Sequence, residues 1–273
     1  MKFQEKQLSI ICQNIRKKIV EMIFVSQTSH IGSALSCVEI LVALYFNILR
    51  ISPYKPFSEK RDIFILSKGH AVSALYAVLA ERGFFNEKLL NTYCANGSQL
   101  PGHVSQGFIP GIEVSTGSLG HGLAIANGIA LAGKRDKEKY RIFVLLSDGE
   151  CDEGSTWEAI LFASHHKLDN LVAIIDYNKW QAFGRTKEVL NLEPFKKKWI
   201  DFGWAAKEVD GHNLKEILKV FQKIPFKKNK PSVVIAHTVK GKGLPFLEDK
   251  LESHYRPPTE EEYKIFMSKI NNL

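Results

Sequence analysis

The segment RIFVLLSDGECDEGSTWEAILFASHHKLDNLVAIIDYNKW, residues 141–180, decides the fold. It contains two uninterrupted apolar runs, RIFVLLS and LVAIIDY, separated by a stretch that reads as helix from about Ser155 to His166. A strand with one wet face alternates apolar and polar residues, whereas a strand covered on both faces has no need to. Continuous runs separated by a helix therefore predict a parallel sheet buried on each side. The first run stops at Ser147-Asp148-Gly149, and four more carboxylates follow at Glu150, Asp152, Glu153 and Glu158.

Working outward, residues 5–27 read as a helix, because Leu8, Ile11, Ile15, Ile19, Met22 and Ile23 recur at helical spacing. TSHIGSALS, Thr28 to Ser36, reads as a loop, and a second helix is expected from about Ser36 to Leu49. RDIFILSKGHAVSALYAVLAERG, Arg61 to Gly83, gives a short apolar run, a Ser-Lys-Gly-His turn and a helix stopped by Gly83. The glycine-rich stretch from Gly102 to Gly133 begins as loop and becomes helix from about Leu119. Beyond residue 180 come the irregular NKWQAFGRTKEVLNLEP, a short strand near Ala205 to Val209, a helix from Asn213 to Ile224 and the strand SVVIAHT. A proline-rich tail after Leu244 ends in a short charged helix. The expectation is one α/β domain over residues 1–273, doubly wound around a mainly parallel sheet with helices on both faces, without repeats or low-complexity segments.

The 273 residues, 45% of them hydrophobic, suffice for a substantial core. No apolar run approaches the roughly 18 residues of a membrane span, and the start MKFQEKQLSI lacks a signal-type core, so a cytoplasmic protein without membrane partners is expected. Most of the net charge of +8 comes from residues 181–250, which hold 15 Lys and Arg against 8 Asp and Glu. These lysines fall in short groups with no nucleic-acid module, and they read as a solvated basic surface, with attraction of small anions as the second reading. Cys12, Cys37, Cys94 and Cys151 show neither CxxC pairing nor metal-finger spacing. They read as reduced and mostly buried, a nucleophilic Cys151 being the alternative.

Three motifs can be set aside. GIALAGKR, Gly128 to Arg135, has the glycine and lysine spacing of a phosphate loop, but Arg135 occupies the metal-binding hydroxyl position and the segment closes a helix instead of opening one. GSLGHG, Gly117 to Gly122, has the wrong glycine order for dinucleotide binding. His165 and His166 are adjacent, so they cannot ligate a metal as an i, i+4 pair.

What remains lies at two strand ends. In an open parallel sheet, ligands bind beyond the carboxyl ends of the strands. Asp148 and Gly149 stand past one strand and Asn178 past the next, with 28 residues between Gly149 and Asn178, enough for one helix and one strand. A hard cation such as Mg²⁺ takes oxygen ligands and is commonly shared between one or two carboxylates and a phosphate. Asp148 and Asn178 supply a carboxylate and an amide oxygen, a nearby carbonyl can be third, and Gly149 leaves the backbone open to a phosphate. Each turn alone would pass as a surface turn; their spacing and strand context favour a shared site.

SDG(x28)N closely resembles the thiamine-diphosphate motif, with Ser147 where that motif has its first glycine. SHIGSALS, SKGHAVSALY, LPGH, STGSLGHGL, SDGECDEGSTWEA, DYNKWQAFG and HTVKGKG together resemble the amino-terminal part of a transketolase, over residues 10 to 260. The resemblance implies that Asp148, Asn178 and the Trp180 carbonyl hold Mg²⁺, and that Gly149, His70 and His254 meet the diphosphate of thiamine diphosphate. It implies that Gly117, Ser118 and Leu119 line the aminopyrimidine side, although transketolases often carry proline at the Ser118 position. His30 and His103, with His254, match groups that hydrogen-bond sugar hydroxyls and move protons, and Glu153 and Glu158 match glutamates between paired sites, hence an interface. Glu150 and Asp152 read as acids favouring the amino end of a helix.

Transfer of a two-carbon ketol unit between sugar phosphates is the activity implied. The pyrimidine-binding and carboxy-terminal domains of a whole transketolase are missing from the 273 residues. A separate carboxy-terminal subunit is therefore expected, in an α2β2 heterotetramer. The alternatives are the α subunit of a thiamine-dependent 2-oxoacid dehydrogenase, which His30 and His103 disfavour, and a non-catalytic cofactor-binding module.

Overall fold

A computed structural model describes residues 3–270. Its centre is a five-stranded sheet, β1 (Ile63–Leu66), β2 (Ile142–Ser147), β3 (Leu171–Tyr177), β4 (Ala205–Asp210) and β5 (Ser232–His237), in spatial order β1-β2-β3-β5-β4 with every pairing parallel. The helices are α1 (Glu5–Ser26), α2 (Ile31–Ser36), α3 (Val38–Ala43), α4 (Val72–Arg82), α5 (Gly122–Arg135), α6 (Gly154–His165), α7 (Thr186–Val189), α8 (Phe195–Asp201), α9 (Leu214–Phe221) and α10 (Glu260–Ile270).

The continuous apolar runs acquire direction from the pleat, which sends successive side chains to opposite faces. Phe143, Leu145, Val172, Ile174 and Val234 join one core beneath α1, α3, α4 and α9. Ile142, Val144, Leu146, Leu171, Ala173, Ile175, Val233 and Ile235 join the other, beneath α5, α6 and α8. Two cores, one per face, are the doubly wound arrangement that the sequence predicts. The edges differ in character. β1 is only four residues long, and β4 exposes Lys207 and Glu208.

Two sequence readings need correction. TSHIGSALS is mostly helix: His30 takes a left-handed φ of +73° and accepts the Ala34 N–H at 3.2 Å, which starts α2 at Ile31. Gly32 does not break this helix, because it is where α2 packs closest; a Cβ there would lie 2.2 Å from Ser253 Oγ. The helix α8 went unread because its three lysines mask the two anchors Phe195 and Trp199, which are buried with Trp204. The rejected phosphate-loop segment is the carboxyl end of α5, ahead of β2, as its composition indicated.

Candidate active site

The carboxyl ends of β1, β2, β3 and β5 deliver the functional side chains. Register places Ser147 beside Asp176 and Asp176 beside Ala236, so the residues just beyond, Asp148, Asn178 and Thr238, emerge side by side. Above them opens a cleft of about 330 Å³, lined by His30, His70, His103, Gly117, Leu119, Gly149, Asn178, Trp180 and His254, with Ser33, Ser147, Asp152, Glu153 and residues 181–183 completing the walls.

Asp148 is fully buried. Its Oδ1 accepts the Gly149 N–H at 3.0 Å, and its Oδ2 accepts the Lys179 N–H at 2.8 Å and the Thr186 hydroxyl at 2.9 Å. Burial, then the neighbouring Asp176 carboxylate, pushes its carboxyl up to about 7. A divalent ion bound beside Asp148 would oppose both causes and favour its ionised form. The Asn178 amide is oriented: Nδ2 donates to Asp176 Oδ2 at 3.3 Å, and Oδ1 accepts the Trp180 N–H at 3.0 Å, keeping a second lone pair. No group of three His, Cys, Asp or Glu side chains suited to a metal occurs among the described residues. An ion here would therefore take mixed oxygen donors, one carboxylate, one amide and a main-chain carbonyl, a set that fits Mg²⁺ with phosphate completing it. Gly149 departs from the sequence reading in one respect. Its N–H is taken by Asp148, and what its missing Cβ leaves room for is Gln181, whose Cγ would stand 2.9 Å away.

Four histidines from distant parts of the chain meet in the cleft. His30 lies 5.4, 5.9 and 4.8 Å, ring centre to ring centre, from His70, His103 and His254. His30 donates its backbone N–H to the His254 carbonyl at 2.9 Å, and Ser29 Oγ contacts its Nδ1 at 3.1 Å. Burial, then His103 and Lys240, lowers His30 to about 4; burial, then Lys240 and His30, lowers His254 to about 3; and His70 is held well below its usual range by burial and Lys68. These three imidazoles are neutral at physiological pH, suited to hydrogen bonding and proton exchange with polar ligands. Gly117 packs on His103, with a Cβ there only 3.1 Å from its ring. Ser118, expected beside Gly117 and Leu119, is exposed and outside the cleft lining, while both neighbours belong to it.

The acids after Gly149 divide. Glu150 is buried; it accepts a hydrogen bond from Ser67, one from the Gly120 N–H at 3.0 Å and one from the Ser147 N–H at 3.4 Å, tying the ends of β1 and β2 to the Gly117–Gly120 loop. The reading of Glu150 as a helix-end acid is thereby corrected. Asp152 binds the Gln181 amide. Glu153, at the cleft wall, and Glu158, on α6, are exposed. The Cys151 thiol is fully buried and pushed well above its usual range by burial and the flanking acids, which rules against a nucleophile. The His165 and His166 rings meet edge to face, and His166 lies tilted against Phe162.

Sequence reasoning missed a second, fully buried layer. Lys68 and Asp176 form an ion pair with neither side chain exposed. Asp176 also accepts from Ser36 Oγ at 2.5 Å and from Thr238, and Lys68 Nζ donates to the Ser33 carbonyl at 2.9 Å. Burial is the largest single influence and opposes both charges, but the pairing together with the surrounding charges and hydrogen bonds outweighs it, so Lys68 is held above and Asp176 below its usual range. Lys240, also buried, touches the Gln181 carbonyl and His254 Nδ1, both at 3.3 Å; burial, then Lys68, lowers it to about 8. A charged residue closing an apolar strand, as Asp176 closes LVAII, is the signal that could have exposed this layer.

Residues 8–271 match the family model described as "Transketolase, thiamine diphosphate binding domain". The chain is 44% identical over 268 residues to an apulose-4-phosphate transketolase subunit from Phocaeicola vulgatus, covering 98% of this chain and 95% of that protein. It is 43% identical over 256 residues to the 6-deoxy-6-sulfo-D-fructose transketolase subunit of a Clostridium species, covering 94% and 93%. The transketolase structure from Campylobacter jejuni superposes with a TM-score of 0.91 at 29% identity, over 98% of this chain but only 43% of its own. Sequence, fold and length thus agree, and the chain belongs to the transketolase family through its thiamine diphosphate binding domain.

Proposed function

We propose that the chain is the metal- and diphosphate-holding subunit of a two-chain transketolase, which moves a two-carbon ketol unit from a ketose phosphate to an aldose phosphate with thiamine diphosphate and Mg²⁺. One observation carries the reading: Asn178, its Oδ1 oriented by the Trp180 N–H, lines a cleft with Trp180 and four histidines, and the buried Asp148 is tied to the same turn through the Lys179 N–H. Asp148, Asn178 Oδ1 and the Trp180 carbonyl would hold the ion, and Gly149, His70 and His254 would meet the diphosphate. The bound cofactor supplies the nucleophilic carbon and the electron sink for carbon–carbon cleavage. The protein binds, orients and exchanges protons: His30 and His254 present neutral imidazoles to sugar hydroxyls, His103 adds a third ring beside them, and Leu119 with Gly117 supports the aminopyrimidine side.

The remaining part of the catalytic apparatus would come from a carboxy-terminal subunit. The relatives covered nearly end to end are themselves named as subunits, and the chain spans under half of a whole transketolase. Beside Glu153 and Glu158, the outer faces of α5 and α6 expose Ile125, Leu161 and Phe162, an apolar surface suited to a partner in an α2β2 assembly. All four cysteines are free, in keeping with a reducing cytoplasm, and no helix among the described residues is long and apolar enough to cross a membrane.

The test mixes the chain with a carboxy-terminal transketolase subunit, thiamine diphosphate and Mg²⁺, and follows ketol transfer from xylulose 5-phosphate. Turnover that requires both chains is expected. Decarboxylation of a 2-oxoacid without ketol transfer would overturn the reading.

A further inference from the structure

We propose that Lys240 is a positioning residue that fixes the tautomer of His254, keeping its proton on Nε2 and its Nδ1 bare. The argument begins with hydrogen-bond inventory. A lysine ammonium carries three donors and no acceptor, so a ring nitrogen bonded to it must present a lone pair. Lys240 Nζ stands 3.3 Å from His254 Nδ1 and 3.3 Å from the Gln181 carbonyl, which likewise can only accept. The proton of the neutral His254 ring therefore resides on Nε2, the nitrogen that Lys240 does not hold. His254 lines the cleft, whereas Lys240 is wholly buried behind it. Lys240 acts on the cleft through His254, and it leaves that imidazole its Nε2–H as a hydrogen-bond donor.

The backbone around Lys240 is built to hold the ammonium in place. Gly241 N–H donates to the Gly32 carbonyl at 2.9 Å, and the Lys240 carbonyl accepts the Asp249 N–H at 2.8 Å. On one side Val239 N–H donates to His212 Nε2 at 2.8 Å; on the other the Lys242 carbonyl accepts from Arg16 Nε at 3.0 Å. Glu39, on α3, joins these two clamps, taking Arg16 at 2.6 Å and His212 Nδ1 at 3.0 Å. His212 obeys the complementary logic. Glu39 accepts from its Nδ1–H, so Nε2 is free to accept from Val239. Burial and the adjacent Lys240 charge also hold His254 far below its usual range, which keeps the ring neutral while the lysine selects its tautomer.

The experiment needs neither cofactor nor partner. Long-range proton–nitrogen correlation spectra of the nitrogen-15-labelled chain report which imidazole nitrogen is protonated, with His254→Gln identifying the His254 signals. At pH 7 the wild type should show a protonated Nε2 and a bare Nδ1, and Lys240→Arg, which keeps the donors and charge, should preserve that pattern. Lys240→Met should shift Nδ1 toward the tautomer average and raise the pH at which His254 titrates by about one unit or more, as loss of a neighbouring cation requires. A proton on Nδ1 in the wild type, or Lys240→Met leaving both readouts unmoved, would overturn the assignment. Should Lys240→Met fail to fold by circular dichroism, the wild-type and Lys240→Arg spectra decide: a bare Nδ1 in both supports it, and a proton on Nδ1 in either refutes it.

Discussion

Replacing Lys68 by methionine keeps the length of the side chain and removes its charge, leaving Asp176 as a buried carboxylate held only by Ser36, Thr238 and Asn178. Breaking one half of a buried pair costs about 3–5 kcal/mol, because the orphaned charge stays desolvated. Here the loss has a ceiling, since Asp176 can take a proton instead. From the ordinary aspartate value of 3.8, protonation at pH 7 costs about 4 kcal/mol, and at pH 5 only about 1.6 kcal/mol, at 1.36 kcal/mol per unit. In the wild type the lowered Asp176 stabilises above 3.8 and loses that contribution as pH falls through its folded value, while the raised Lys68 contributes below its usual range and is lost at high pH. The pair is thus intact at both pH 5 and pH 7. Urea unfolding of Lys68→Met should show a loss of about 3–4 kcal/mol at pH 7, shrinking to less than about 2 kcal/mol at pH 5. Lys68→Met with Asp176→Asn should recover part of the pH 7 loss. A loss that is equal at the two pH values, or below about 1 kcal/mol at pH 7, would refute the reasoning.

Other outcomes follow from the same geometry. Asp148→Ala should weaken Mg²⁺-dependent thiamine diphosphate binding by about 100-fold or more in isothermal titration calorimetry while leaving the circular dichroism spectrum intact. Gly32→Ala drives a methyl group into Ser253 and Lys240 Cγ, 2.2 and 2.9 Å away. It should cost about 1–3 kcal/mol in urea unfolding, and Ser253→Gly should return part of it. Ellman's reagent should modify one thiol, Cys94, in the native chain and all four after denaturation, since Cys12, Cys37 and Cys151 are buried.

The sheet was legible because its central strands are buried on both sides and say so in their composition; LVAIIDY and RIFVLLS leave few other readings. β4 was harder, with Lys207 and Glu208 breaking the run at an exposed edge, and was found through its position between irregular chain and helix. The short helix α2 was read as loop because histidine and glycine there look like punctuation, while contact with the chain around Ser253 overrides that local preference. The strand-end residues Gly149, Asn178 and Trp180 and the four histidines were singled out in the sequence and line one cleft, with Asp148 buried outside its lining and Ser118 exposed. The layer behind them was not. Lys68, Glu150, Asp176 and Lys240 are charged, and a charged residue taken singly belongs on the surface; only the folded chain shows that each finds its partner far away in sequence.

That distance has a kinetic consequence. Asp176 meets Ser36 across 140 positions, Lys68 across 108 and Thr238 across 62. Closing such long loops is paid for in chain entropy before any contact rewards it, which slows folding relative to helical bundles of local contacts. β5, the strand that leads to Thr238 and Lys240, leaves the ribosome after the other four, yet it lies inside the sheet between β3 and β4. A growing chain therefore cannot complete the cleft until it has been synthesised past His254, and a partner that recognises the finished cleft would pass over shorter nascent chains.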